Sequence, residues 1–144
     1  SIAYSDKSEL KGLYADTSRE NFIRTMVISC FSFTEAARRA AALMKKGGSL
    51  LTVSFGGGTH VMPNYNVMGV AKAALDSSVR YLAADFGDRG IRVNALSPGP
   101  VRTMAGAGIT AVVPAADAAV LNERLTSTRA VGVSPGIDPS VRLS

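Results

Sequence analysis

Two short β-prone runs, each following a long stretch of helical periodicity, restrict this chain to a small set of folds. Ser49-Leu50-Leu51-Thr52-Val53-Ser54 comes directly after Gly47-Gly48, and Ile91-Arg92-Val93-Asn94-Ala95-Leu96 directly after Gly90. Between them Ala71, Ala74, Leu75, Val79, Leu82 and Ala83 recur at helical intervals, so residues 64–86 read as one long helix ended by Gly87 and Gly90. Two such units in succession indicate a parallel sheet with right-handed crossovers. The glycine-bounded apolar run 49–54 suits a buried strand of that sheet. The expected class is α/β.

The first helix is expected to begin at Thr17, which stands with Glu20 at capping-box spacing. Phe22, Ile23, Met26, Val27, Cys30 and Phe31 then recur with a helical period, continued by Ala36, Ala37, Ala40 and Met44 until Gly47-Gly48 stops it. This predicts one uninterrupted helix with a wide apolar face. The polar stretch 4–16, broken by Gly12, reads as a loop, and Ser1-Ile2-Ala3 as the end of a buried strand that begins upstream. A short helix can form over 115–125, and Gly132, Pro135, Gly136 and Pro139 make 132–144 an irregular tail. Residues 1–131 are thus expected to form part of a single domain.

Composition narrows the function. Apolar residues make up 47% of the chain and charged ones 19%, enough for a core and too few charges for a disordered chain. The net charge of +5 suits an anionic partner such as an acidic protein or a pyrophosphate. Its basic residues are scattered, as Arg38-Arg39, Lys45-Lys46, Arg89, Arg92 and Arg102, without interleaved aromatics, which argues against nucleic acid. No apolar run reaches the length that spans a bilayer and no signal-peptide pattern opens the chain, so a cytoplasmic location without membrane association is expected. Cys30, the single cysteine, sits in an apolar helical run and reads as a buried structural thiol. No metal is expected.

Three stretches can carry chemistry. In Pro63-Asn64-Tyr65-Asn66-Val67-Met68-Gly69-Val70-Ala71-Lys72, a phenol and an ammonium stand seven positions apart, about two helical turns, and so on one helical face. A tyrosine hydroxyl can donate to an oxygen gaining negative charge, and a nearby lysine can lower its pKa and hold a polyhydroxylated cofactor. Taken alone, such a pair is more often a half-buried Tyr and a solvated Lys. Phe55-Gly56-Gly57-Gly58-Thr59-His60 follows the first strand, where ligands bind in open α/β sheets, but its glycines lack dinucleotide-fingerprint spacing and read as a flexible connection. His60 reads as a solvated side chain. In Ser97-Pro98-Gly99-Pro100-Val101-Arg102-Thr103 the prolines stiffen a loop after the second strand, and the Thr103 hydroxyl can donate to a phosphate.

The ten residues ending at Lys72, taken whole, closely resemble the active-site segment of the bacterial NADH-dependent enoyl-acyl-carrier-protein reductases, a divergent branch of the short-chain dehydrogenase/reductase family. That branch separates Tyr and Lys by six residues, as Tyr65 and Lys72 are here, whereas the more common members separate them by three. The resemblance runs from Ser1 to about Val113 and more weakly to about Val131.

What the resemblance implies can be stated residue by residue. The fold would be a partial Rossmann-like doubly wound parallel sheet with long flanking helices, this chain corresponding to the portion downstream of the glycine-rich turn. The activity would be reduction of the trans-2 double bond of enoyl-acyl-carrier-protein thioesters by NADH in fatty acid biosynthesis. Tyr65 and Lys72 would be catalytic; Ser1, Ile2, Ala3, Lys72, Val101 and Thr103 would bind NADH. Phe55, Tyr65, Met68, Met104 and Ala105 would meet the substrate. Many relatives have a tyrosine at the place of Phe55, which keeps the ring but cannot donate a hydrogen bond. Thr110-Ala111-Val112-Val113-Pro114 departs from the aromatic and basic residues with which the family closes over substrate. The partners implied are acyl-carrier-protein-linked enoyl substrate and further copies in a homotetramer built on the two long helices. Two other readings stay open: a ketoacyl reductase of the same fold, and a non-catalytic remnant that associates through its helices.

Overall fold

A computed structural model of the chain describes residues 2–97. The expectations that fall on Ser1, Val101, Thr103, Met104 and Ala105, on the helix at 115–125 and on the tail at 132–144 lie outside those residues. Two 3-10 turns, Lys7–Leu10 and Tyr14–Asp16, lead into helix α1 (Arg19–Met26), a π turn (Val27–Phe31) and helix α2 (Ser32–Leu43). Strand β1 (Gly48–Val53), a 3-10 turn at Gly56–Gly58, helix α3 (Asn66–Gly87) and strand β2 (Ile91–Leu96) follow. The two strands pair in parallel, in register from Gly48 with Ile91 to Val53 with Leu96. The expected α/β alternation and the bounds of the second strand agree with this arrangement.

The start of α1 differs from the capping box expected at Thr17. Thr17 instead closes the preceding turn, its N–H and hydroxyl both donating to the Tyr14 carbonyl at 3.0 and 2.7 Å. Ser18 is the cap: its Oγ accepts from the Asn21 N–H at 3.2 Å. The carboxylate that completes the motif comes from Glu9, nine residues upstream, which accepts from the Ser18 N–H at 2.9 Å and the Ser18 hydroxyl at 2.8 Å. Spacing alone could not show it, because the acceptor arrives from another turn.

The first long helix is not uninterrupted, and its buried stripe is not the apolar one. Asn21, Thr25 and Ser29 are buried, whereas Ile23, Val27 and Phe31 are about half exposed. Each buried polar group has a partner in the preceding loop, which removes most of the cost of burying it. Asn21 Oδ1 accepts from the Asp6 N–H at 2.9 Å, Thr25 Oγ1 donates to Ser5 Oγ at 3.0 Å, and Ser29 Oγ accepts from the Tyr4 N–H at 2.9 Å. Buried positions recurring every four residues drift by about 40° per step around a helix of 3.6 residues per turn. The wider π turn absorbs part of that drift, so Ala37 and Ala41 of α2 continue the buried stripe.

The core lies on one face of the sheet. Ala37 of α2, Val79 and Leu82 of α3, and Val93 and Ala95 of β2 form one cluster, with Phe33, Leu50, Ala83 and Phe86 packed against it. β2 alternates as a half-covered strand should, with Ile91, Val93 and Ala95 inward. The expectation of a buried first strand is corrected: Leu51 is 62% exposed and Val53 points the same way, because the described helices cover only the opposite face. Gly47 and Gly90, both at positive φ, let the two strand entrances meet; a Cβ on Gly47 would stand 2.6 Å from the Gly90 carbonyl oxygen. Arg89 closes the same corner, its guanidinium donating to the Ala41 carbonyl in the last turn of α2, where the helix dipole favours a cation.

Ile2 and Ala3 are irregular and exposed, Ile2 by 67%, not the end of a buried strand. No described strand pairs with them, so their backbone groups have no ladder to join. Among the described residues no helix is long and apolar enough to cross a membrane.

Candidate active site

The carboxyl end of β1 and the amino end of α3 form the site. After Val53 the chain turns through Ser54 and Phe55 into the Gly56–Gly58 turn, then reaches α3 by way of Asn64 and Tyr65. α3 begins two residues later than the pattern suggested. Asn64 and Asn66 have φ of 55° and 26°, left-handed conformations that asparagine tolerates better than most residues. Tyr65 between them is the N-cap, and its carbonyl accepts from the N–H groups of Met68 at 2.8 Å and Gly69 at 3.2 Å. Asn66 Nδ2 donates to the carbonyls of Glu9 and Gly12 at 3.3 Å each, which ties the helix start to the amino-terminal loop.

The Tyr65 ring is enclosed. It is 6% exposed and meets the Phe55 ring edge-on, with centroids 5.1 Å apart and planes at 61°. A Cβ on Gly57 would stand 2.5 Å from Tyr65 Cδ1, and one on Gly69 would stand 2.7 Å from the Gly57 carbonyl oxygen. A Cβ on Gly58 would meet the Ala73 nitrogen at 2.9 Å. The glycine run is therefore not a flexible connection. It is a hydrogen-bonded turn, with Gly58 N–H to Phe55 O at 3.0 Å and Thr59 N–H to Gly56 O at 3.1 Å, packed closely enough at Gly57 and Gly58 that only hydrogen fits there. His60 is exposed beside Thr59, as expected of a solvated histidine.

Lys72 is 5% exposed, and its Nζ donates to the Val53 carbonyl at 2.8 Å, the last carbonyl of β1. An ammonium has three donors, so among the described residues two N–H groups remain for a ligand at the strand end. Burial lowers its pKa from the ordinary value, opposed by the Asp76 carboxylate and by Cys30. Burial also pushes the Tyr65 phenol up to about 12. The Tyr65 shift has burial as its cause, without a contribution from Lys72. At neutral pH Tyr65 is a protonated phenol, a hydrogen-bond donor and not a base.

The other expected site residues divide. Phe55 stands against Tyr65, and Met68 is buried one turn into α3. An open cleft of about 370 Å³ adjoins Tyr65 and is lined also by Tyr14, Met62, Asn66, Val70 and Ala73; neither Phe55 nor Met68 lines it. Tyr14 and Met62 carried no signal in sequence, since only the fold brings the amino-terminal turn and the 59–62 loop to one place. Two further buried oxygens carry no sequence signal: Ser54 Oγ and Asp76 Oδ1 have no hydrogen-bond partner among the described residues. Cys30 is buried, as expected, its Sγ 3.5 Å from Ser78 Oγ.

A parallel strand–helix–strand unit, with a buried Tyr–Lys pair at the carboxyl end of its first strand, places the chain among α/β proteins of the Rossmann kind. The family model described as "Enoyl-(Acyl carrier protein) reductase" matches residues 1–133, and the chain belongs to that family. It is 74% identical over 109 residues to "Enoyl-[acyl-carrier-protein] reductase [NADH] 2" of Rhizobium meliloti, covering 76% of this chain and 41% of the relative. It is similar to the crystal structure of FabI from Candidatus Liberibacter asiaticus, with a TM-score of 0.72 and 60% identity over 76% of this chain and 42% of that one. The Anaplasma phagocytophilum reductase, solved in complex with NAD, gives a TM-score of 0.71 with the same identity and coverage. The chain thus spans about two fifths of the length of the relatives it matches.

Proposed function

We propose that the chain carries the Tyr65–Lys72 portion of an NADH-dependent reductase of enoyl-acyl-carrier-protein thioesters, acting in fatty acid biosynthesis in the cytoplasm. The observation that carries the reading is the placement of the pair: Tyr65 is buried as a hydrogen-bond donor, and Lys72 is buried with its Nζ held by the Val53 carbonyl, leaving two N–H groups beyond that bond among the described residues. Such a lysine at the carboxyl end of a strand fits a ribose diol, which offers two oxygens to those two donors. Ser1, Ile2, Ala3, Val101 and Thr103 line the rest of the cofactor site in this proposal. Phe55, Met68, Met104 and Ala105 meet the acyl thioester, within one domain over residues 1–131.

NADH, when bound, supplies a hydride, which the β carbon of the trans-2-enoyl thioester accepts. Electron density then moves to the thioester oxygen, and Tyr65 donates its hydrogen bond there as the charge develops. This stabilisation strengthens in the transition state and contributes to rate more than to binding. The α carbon of the enolate then takes up a proton from solvent water, which finishes the saturated thioester. Phe55 contributes packing against Tyr65 and no proton. The half-exposed side chains Ile23, Val27 and Phe31 give the first long helix an apolar strip suited to contact with further copies, in keeping with a homotetramer.

A chimera in which the amino-terminal part of the Rhizobium meliloti relative precedes Ser1 tests the proposal. It should oxidise NADH with a crotonyl thioester and leave an acetoacetyl thioester almost untouched. Preferential reduction of the ketone would move the chain to the ketoacyl reductases.

A further inference from the structure

Lys72 poses an electrostatic question that its bond to Val53 does not answer. A buried ammonium with one neutral acceptor is costly unless a counter-charge stands near. Asp76 lies four residues on along α3, one turn away on the same side of the helix. Its Oδ1 is sealed from solvent and meets no donor among the described residues. Two groups of opposite charge, each short of partners among the described residues, thus share one side of one helix. They do not close a direct ion pair, since the ion pair within 4.0 Å among the described residues joins Arg39 to Glu35. That separation has a use, because a direct Lys–Asp bond would withdraw the N–H groups that a ligand at the end of β1 needs.

We propose that Asp76 is a positioning residue for Lys72, a through-space counter-charge that keeps the buried ammonium protonated while leaving two of its N–H groups free for the ligand. The ligand's identity rests on the function proposed above; the coupling between the two side chains does not. The direction of the Lys72 shift agrees, with Asp76 the larger of the two groups that oppose the effect of burial. The second is Cys30 on the π turn. The other ionisable groups on the described elements packed around α3 are exposed or engaged: Lys7, the charged residues of α1 and α2, Arg92 of β2, and Arg80, Tyr81 and Asp85 of α3 are exposed, and Glu9 is bonded to Ser18 and Asn21. β1 and the glycine turn carry no ionisable side chain, and Tyr65 is neutral until far into the alkaline range.

The test is a pH titration of the 144-residue chain labelled with 13C at lysine Cε and aspartate Cγ, followed by NMR, with Lys72 assigned from the Lys72→Met spectrum. A nearby opposite charge favours the charged form of an ammonium. The Lys72 midpoint should therefore fall in Asp76→Asn and return most of the way in Asp76→Glu. In the unsubstituted chain the Asp76 Cγ resonance should inflect at the Lys72 midpoint, a readout that survives even if Asp76→Asn fails to fold. Coincident Lys72 midpoints in the parent and Asp76→Asn chains, or an Asp76 resonance blind to Lys72, would overturn the proposal. Neither readout involves NADH or a thioester, so failure here is distinct from failure of the enoyl reductase reading.

Discussion

Placing a single methyl group on Gly57 should displace the residue on which the proposed chemistry depends. The Cβ of Gly57→Ala would lie 2.5 Å from Tyr65 Cδ1 and 2.7 Å from Cε1, about 0.9 Å inside the 3.4 Å at which ordinary contact begins. The phenol cannot back away cheaply, because the ring is buried and meets the Phe55 ring edge-on with centroids 5.1 Å apart. Gly57 is not at positive φ, so the substitution adds contact without backbone strain. Overpacking of this kind costs about 1–3 kcal/mol, and a catalytic group moved by about 1 Å loses on the order of 100-fold in rate. Gly56→Ala is the control from the same turn, since its Cβ would meet nothing within 4 Å. That change should be neutral or stabilise by up to about 1 kcal/mol through the unfolded chain. Urea denaturation followed by circular dichroism should therefore place Gly57→Ala at least about 1 kcal/mol below Gly56→Ala, and the Tyr65 ring resonances should shift in Gly57→Ala alone. Equal stability of the two variants would refute the close-packing account of the glycine turn.

Ser18→Ala removes the cap of α1 and the hydroxyl partner of Glu9, and should cost about 1 kcal/mol by thermal unfolding. Ultraviolet titration should show a late phenol ionising near pH 12, absent from Tyr65→Phe. A phenol whose folded pKa is raised contributes stability that is complete below its unfolded pKa of 10.0 and is lost as pH rises toward about 12. The parent chain should therefore lose more stability across that window than Tyr65→Phe, and parallel curves would count against burial of the hydroxyl. In the chimera, Lys72→Ala should weaken NADH binding about tenfold to a hundredfold, as expected for losing charged hydrogen bonds; unchanged affinity in a calorimetric titration would remove Lys72 from the ribose site.

The order of elements was legible because α3 and β2 are local patterns: Leu75, Val79 and Leu82 keep a helical interval, and Ile91, Val93 and Ala95 a strand interval, wherever they pack. The faces of the first helix were not legible, since Asn21, Thr25 and Ser29 are buried only because Ser5, Asp6 and Tyr4 reach them from a distant loop. The same limit hid the cap at Ser18, completed by Glu9 from another turn. Tyr65 and Lys72 stood out by their spacing, but their protonation did not, because a pKa raised or lowered by burial depends on what the fold places around a group. The three glycines were visible as a run; that they make room for a tyrosine ring could be known only once α3 lay against them.

The role given to Tyr65 is tested most directly by steady-state kinetics of Tyr65→Phe in the chimera with a crotonyl thioester. The substitution keeps the ring and its contact with Phe55 and removes only the donor. If that hydrogen bond strengthens as charge reaches the thioester oxygen, kcat should fall by about 100-fold or more while KM for the thioester changes little. An unchanged kcat, or a loss confined to KM, would contradict the account.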